Sequence, residues 1–209
     1  MLHPRNIHKK RWLQAMAGGL VLCLALSVCG FYGECQGIRE RVVRLHILAN
    51  SDSEEDQALK LAVRDAVVEA SAGWLDRAAD AGEARQIVES RLPELEQIAR
   101  RTVQEAGQTY PVSAQLCETY FPTRQYGNVT LPAGNYEAVR LVIGAGEGHN
   151  WWCVVFPPLC AGAAADRRQL SDVLDGEQEA LVTGGDRYVV KFKIVEWVEQ
   201  LLRLCRRES

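Results

Sequence analysis

The side chains able to do chemistry crowd into one stretch of this 209-residue chain, GHNWWCVVFPPLC, residues 148–160. A cysteine nucleophile needs a histidine within hydrogen-bond reach to generate its thiolate. His149 precedes Cys153 by four positions, so on a continuous strand the two share a face but stand about 13 Å apart. Only a loop that curls back would let His149 serve Cys153, and the one other histidine beyond the N-terminal segment is His46. A small buried thiol, or half of a disulfide, suits this spacing better. His149, Cys153 and Cys160 lack the short CxxC or HxxxH spacing of zinc sites, and no metal is expected. Gly144, Gly146 and Gly148 invite a phosphate-loop reading. A strand leads into a strand there, so no helix N-terminus faces a phosphate. A turn needing positive φ accounts for these glycines. No catalytic residue and no cofactor is assigned.

Cys153 and Cys160 would lie about 23 Å apart if the chain between them were extended, whereas a disulfide needs Cα atoms roughly 4.4–6.8 Å apart. A sharp reversal at Pro157 and Pro158 would unite them, closing a loop worth about 2–3 kcal/mol. Cys117, Cys153, Cys160 and Cys205 allow three full pairings, and the sequence does not choose between them. Trp151 and Trp152 must point to opposite faces of their strand. One can be core; the other needs a helix, a loop or a partner to cover it. Asn50, Ser51, Asp52 and Ser53, followed by Asp56, gather acceptors at a strand's end. A cation site is conceivable, but capping and turn formation explain the same residues better.

The elements that must position these residues begin after an N-terminal targeting segment. Arg5, Lys9, Lys10 and Arg11 lead about twenty largely apolar residues, Leu13 to Tyr32, with no charge between Trp12 and Gly33. That is a secretion signal or a single-span anchor. Ser27 and Cys29 could flank a cleavage before Gly30, and a lipoprotein site is hinted at but poorly matched at Val28. The positive lead keeps the N-terminus cytoplasmic and puts residues from 33 onward outside. Those residues carry 27 acidic side chains and 20 basic ones (24 less the four of the lead), a net charge of −7. That balance argues against nucleic acid or anionic lipid as partner. The remaining length suits one domain, residues 37–209 after a segment of 1–36.

Val43, Leu45, Ile47 and Ala49 share one face of a strand, with Arg44 and His46 on the other. Ser53 caps a helix whose stripe is Leu59, Val63, Ala66, Val67, Ala70 and Trp74, with Lys60, Arg64, Asp65 and Glu69 on the polar sides. A second helical stretch from Glu83 to Gly107 is expected to break at Pro93. Strands follow near 110–120, 136–143 and 151–156, the last two read as a hairpin with a glycine-rich tip. Residues 161–187 read as a surface excursion or short helix, and 187–207 as a C-terminal helix. The sum is α+β, helices on a small, mostly antiparallel sheet in the order β-α-α-β-β-β-α, behind an apolar targeting helix.

Five blocks, RLHILANSDS (44–53), DQALKLAVRD (56–65), YFPTRQYG (120–127), LPAGNYEA (131–138) and GHNWWCVVFPPLC (148–160), occur in order. On them the chain resembles the stage II sporulation protein R family of endospore-forming Firmicutes, over about residues 41–160. The resemblance implies a protein exported from the forespore into the space between two membranes. There it would switch on a membrane-embedded aspartic protease of the mother cell, which processes an early sigma-factor precursor. The family offers no catalytic residues to carry over. The expected contact surface is Asn50, Ser51, Asp52 and Asp56, with Tyr126, Gly127, His149, Asn150, Trp151 and Trp152. Cys153, Cys160, Pro157 and Pro158 are expected to be scaffold. The alternative is an exported cysteine-dependent hydrolase of cell wall or peptide bonds.

Overall fold

A strand followed at once by a capped helix sets the frame. The computed structural model describes residues 4–159, 173–184 and 188–207. Helix α1 runs from Pro4 to Glu40, β1 from Val43 to Leu48, α2 from Glu54 to Leu75 and α3 from Ala81 to Glu105. Strands β2 (Val112–Phe121), β3 (Arg124–Tyr126), β4 (Val129–Leu131), β5 (Gly134–Ile143) and β6 (Asn150–Phe156) follow, then α4 (Gly176–Thr183) and α5 (Val189–Arg207). The architecture is α+β behind an apolar N-terminal helix. β3, β4 and α4 add to the expected order.

The main sheet has the order β2-β5-β1-β6, and β3-β4 form a separate two-stranded ribbon. β1 is parallel to β5 and antiparallel to β6, while β2 and β5 are antiparallel. The expected β5–β6 hairpin is therefore corrected, because β1 lies between the two. Residues 144–148 arch over the end of β1 and bond to it. The Gly148 N–H donates to Ala49 O at 3.0 Å, and the Glu147 N–H to Asn50 O at 3.2 Å. Gly144 and Gly146 hold φ of 60° and 67° in this arch, the left-handed region open to glycine at little cost.

α2 and α3 cover one face of the sheet, where Val43, Leu45, Ile47, Val63, Val67, Val88, Leu95, Val139 and Leu141 form a core. The other face carries a second core. Cys35 and Ile38 of α1 meet Phe121, Leu131, Tyr136, Val154, Leu181 and Phe192 there. The final turns of α1 thus belong to the folded domain. Arg39 ties them in, donating to Ala133 O at 3.0 Å and pairing with Glu199 of α5 at 2.5 Å. Upstream, Arg11–Glu40 is long and apolar enough to cross a membrane.

The expected break at Pro93 is also corrected, since α3 runs through it. A proline inside a helix loses one backbone bond and costs about 3 kcal/mol. Pro93 lies on the exposed side, where water can take the freed carbonyl. The opposite stripe, Ala84, Val88, Leu95, Ala99 and Val103, is buried along its length. At about 1.5–3 kcal/mol for each large apolar side chain, that packing outweighs the proline. Asp80 and Glu83 cap the helix reciprocally, through Glu83 N–H to Asp80 Oδ1 at 2.9 Å and Ala79 N–H to Glu83 Oε2 at 2.7 Å.

Candidate functional site

The crossing of residues 144–148 over β1 joins two motifs a hundred residues apart. Asn50 sits beneath the arch, accepting the Ala145 N–H on Oδ1 at 3.0 Å and donating to Asp56 at 2.8 Å. Ser51 adds a 2.6 Å bond to the same Asp56 oxygen. Those bonds, Ser51 first, hold the Asp56 carboxyl below its usual range. Ser53 caps α2 as the sequence implies, taking the Asp56 N–H at 3.2 Å. The acceptors expected at this strand end are thus engaged in capping and loop closure.

Asp52 faces outward and grips His149. Its Oδ1 accepts the His149 main-chain N–H at 2.6 Å and meets Nδ1 of the ring at 2.5 Å. The two bonds, the backbone one foremost, hold Asp52 below the ordinary carboxylate range. The His149 side chain is 80% exposed with its Nδ1 on Asp52, whereas Cys153 is buried. Lys60, assigned above to a polar side of its helix, is instead buried under this loop and donates to His149 O at 2.9 Å. Burial pushes the Lys60 ammonium down from its ordinary value.

Cys153 is buried and disulfide-bonded, so no thiolate is available there. The chain reverses after β6, where Leu159 N–H reaches Val154 O at 3.3 Å. Pro157 and Pro158 stand at that reversal, and the Phe156–Pro157 bond is cis. Cys160, the partner weighed for Cys153, lies outside the described residues, as do residues 161–172. Cys35 and Cys117 are free.

Trp151 and Trp152 do point to opposite faces, and neither is simply out. Each is half-buried under an arginine. Arg64 of α2 lies 4.5 Å from the Trp151 ring centroid, and Arg124 of β3 lies 4.5 Å from that of Trp152. Stacked guanidinium contributes about 0.5–1 kcal/mol at exposed sites, more when desolvated. On the Trp152 side, His46 and Phe121 stand at centroid distances of 6.0–6.1 Å. His46 Nε2 pairs with Asn150 Oδ1 at 3.0 Å, and burial lowers its pKa.

The largest departure from the sequence reading is Arg44. Assigned to the less apolar face of β1, it is fully buried. Its guanidinium lies 3.9 Å from the Phe121 centroid, 4.7 Å from Tyr136 and 5.5 Å from Tyr126. It donates to Cys153 O at 3.4 Å and to the Tyr126 hydroxyl. No carboxylate pairs with it among the described residues. Burial lowers the Arg44 pKa, and the nearby phenols oppose that effect. Tyr126 passes the link on, its hydroxyl donating to Trp152 O at 3.2 Å.

The expected contact residues thus form two patches sharing Asn150. Asn50, Asp52 and His149 make one. Tyr126, Gly127, Trp151 and Trp152 line the other, an open cleft of about 490 Å³ with Arg124, Gln125 and Leu159. Arg44, Arg64 and Arg124 were not expected at the site, although each stands in one of the five blocks, RLHILANSDS, DQALKLAVRD and YFPTRQYG.

The model of the family Stage II sporulation protein R (spore_II_R) matches residues 39–166. Stage II sporulation protein R of Bacillus subtilis (strain 168) is 38% identical over 185 residues, covering 78% of this chain and 83% of that protein. No solved structure matches the chain. The chain belongs to the stage II sporulation protein R family.

Proposed function

We propose that this sporulation protein is an exported signal that activates a membrane-embedded aspartic protease of the mother cell, by binding rather than by catalysis. Activation would let the protease process an early sigma-factor precursor. The observation that carries this reading is the paired surface itself. Asn50, Ser51 and Asp52 with His149–Asn150 form one patch, Asp56 being buried beneath it, and Tyr126–Gly127 with Trp151–Trp152 form the next. The polar groups of the first patch are committed to holding backbone in place, as a rigid docking face requires. Half-buried tryptophans and arginines are what binding hot spots concentrate.

A continuous helix from the apolar segment into the domain also suits export. The segment fits a signal or an anchor, and the domain packs directly on its last turns. A cysteine hydrolase is poorly served here, because Cys153 is buried and disulfide-bonded while the His149 ring stands exposed at the surface. The test is a photo-crosslinker at Gln125, at the cleft's edge, and a second at Glu83 on α3. Crosslinking of the protease from Gln125 but not from Glu83 supports the docking face. The reverse pattern rejects it.

A further inference from the structure

The hydrogen-bonding inventory of the Trp151–Trp152 cleft is one-sided. Among the described residues nine line it, none of them acidic and one, Arg124, a cation, although residues 33–209 carry net negative charge. Arg124 stacks on Trp152 and has no carboxylate partner among the described residues. The indole N–H groups of Trp151 and Trp152 are buried and have no acceptor among the described residues. Three of the cleft's acceptors, by contrast, are spent. Asn150 Oδ1 is on His46, and Trp152 O and Gly127 O receive Tyr126 and Gln125. Behind this wall the buried Arg44 donates to Tyr126, and its Nη1 has no partner among the described residues. Arg64, over Trp151, is already paired with Asp65 at 2.6 Å and leaves Arg124 as the unpaired cation of the cleft among the described residues. An exposed guanidinium stacked on an indole, with no acid among the described residues that line the cleft, favours an anionic acceptor.

We propose that this cleft receives a carboxylate side chain, an Asp or Glu on an exposed segment of the protein partner, held by Arg124 against the Trp152 face. The edge of β6 itself is not the site of strand addition. Tyr126 and Leu159 already occupy the carbonyls of Trp152 and Val154. Recognition is therefore by side chain, with a guanidinium clamp on carboxylate that is tighter and more directional than an ammonium contact. This inference rests on the docking reading above and specifies the chemistry of its partner.

The experiment uses the full chain in membranes with the protease, reading activation and co-purification of the R124M, R124Q, R124E and R124K variants. Arg124→Met keeps the stem packed on Trp152 and removes only charge. R124M and R124Q are expected to weaken binding about tenfold and R124E about a hundredfold, with R124K between wild type and R124Q. An Asp→Arg or Glu→Arg change in the partner's exported segment should restore R124E. R124M behaving as wild type overturns the proposal. So does failure of every acid-to-arginine change to rescue R124E. Loss of binding to protein-free vesicles of anionic lipid, with protease binding intact, also overturns it and makes the ligand a lipid headgroup. Inactive Trp151→Ala and Trp152→Ala variants beside a wild-type R124M would remove the carboxylate and leave the docking face standing.

Discussion

The Arg44 guanidinium lies 3.9 Å from the centroid of the Phe121 ring, fully buried and without a carboxylate partner among the described residues. Aromatic faces and two hydrogen bonds replace the counter-ion that a buried charge normally needs. Lysine cannot reproduce a planar stack or reach both acceptors. Arg44→Lys should therefore lower the denaturation free energy by about 2 kcal/mol, read as a lower denaturant midpoint at unchanged slope. An unchanged midpoint would mean that the stack contributes nothing.

Gly148 should be intolerant of even one methyl group. A Cβ there would fall inside the van der Waals radius of the Ser51 carbonyl, which is backbone and cannot rotate away. Gly148→Ala is expected to cost about 1–3 kcal/mol, the range for overpacking. It should also loosen the Asp52–His149 contact, visible as faster amide exchange at His149. Gly73 has open space around it, so Gly73→Ala is the control and should stabilise slightly.

Acid should unfold the domain earlier because of His46. Burial lowers its folded-state pKa below the free value of about 6.5. The unfolded chain therefore takes up a proton first as pH falls. Stability is fully present above about pH 6.5 and declines below it until the folded-state pKa is passed. His46→Gln should flatten the decline measured by denaturant titration between about pH 6.5 and 5. An unaltered slope would place the pH sensitivity elsewhere.

The Cys153 thiol should be dispensable for signalling. Cys153→Ser removes a disulfide, typically costing about 2–4 kcal/mol, and changes no residue of the Asp52–His149 patch. The Cys153→Ser variant, assayed at equal amounts of folded protein, is expected to activate the protease like wild type. Complete loss of activation with the fold intact would revive the hydrolase reading.

Local patterns made much of this legible. The alternation of Val43, Leu45 and Ile47 found β1, and Ser53 found the start of α2. The apolar segment and the C-terminal helix also follow from composition and period. What failed was long-range. Nothing in Gly144 to Gly148 says that β1 inserts between β5 and β6, since a glycine-rich turn serves a hairpin or an arch equally well. Pro93 obeyed tertiary packing over local propensity. Arg44 and Lys60 look like surface residues until the aromatic rings and the loop that cover them, from elsewhere in the chain, are in place. The two tryptophans were placed correctly on opposite faces, but their cover by Arg64 and Arg124 required the third dimension.

The docking account stands most directly on Trp151 and Trp152. Full-length protein carrying Trp151→Ala, Trp152→Ala or both should be reconstituted in membranes with the protease and the sigma-factor precursor. Precursor cleavage is then followed with time. At matched fold, checked by circular dichroism, the double variant is predicted to lose activation and each single variant to lose at least about tenfold, as for a binding hot spot. Cleavage at the wild-type rate by the folded double variant would contradict the account.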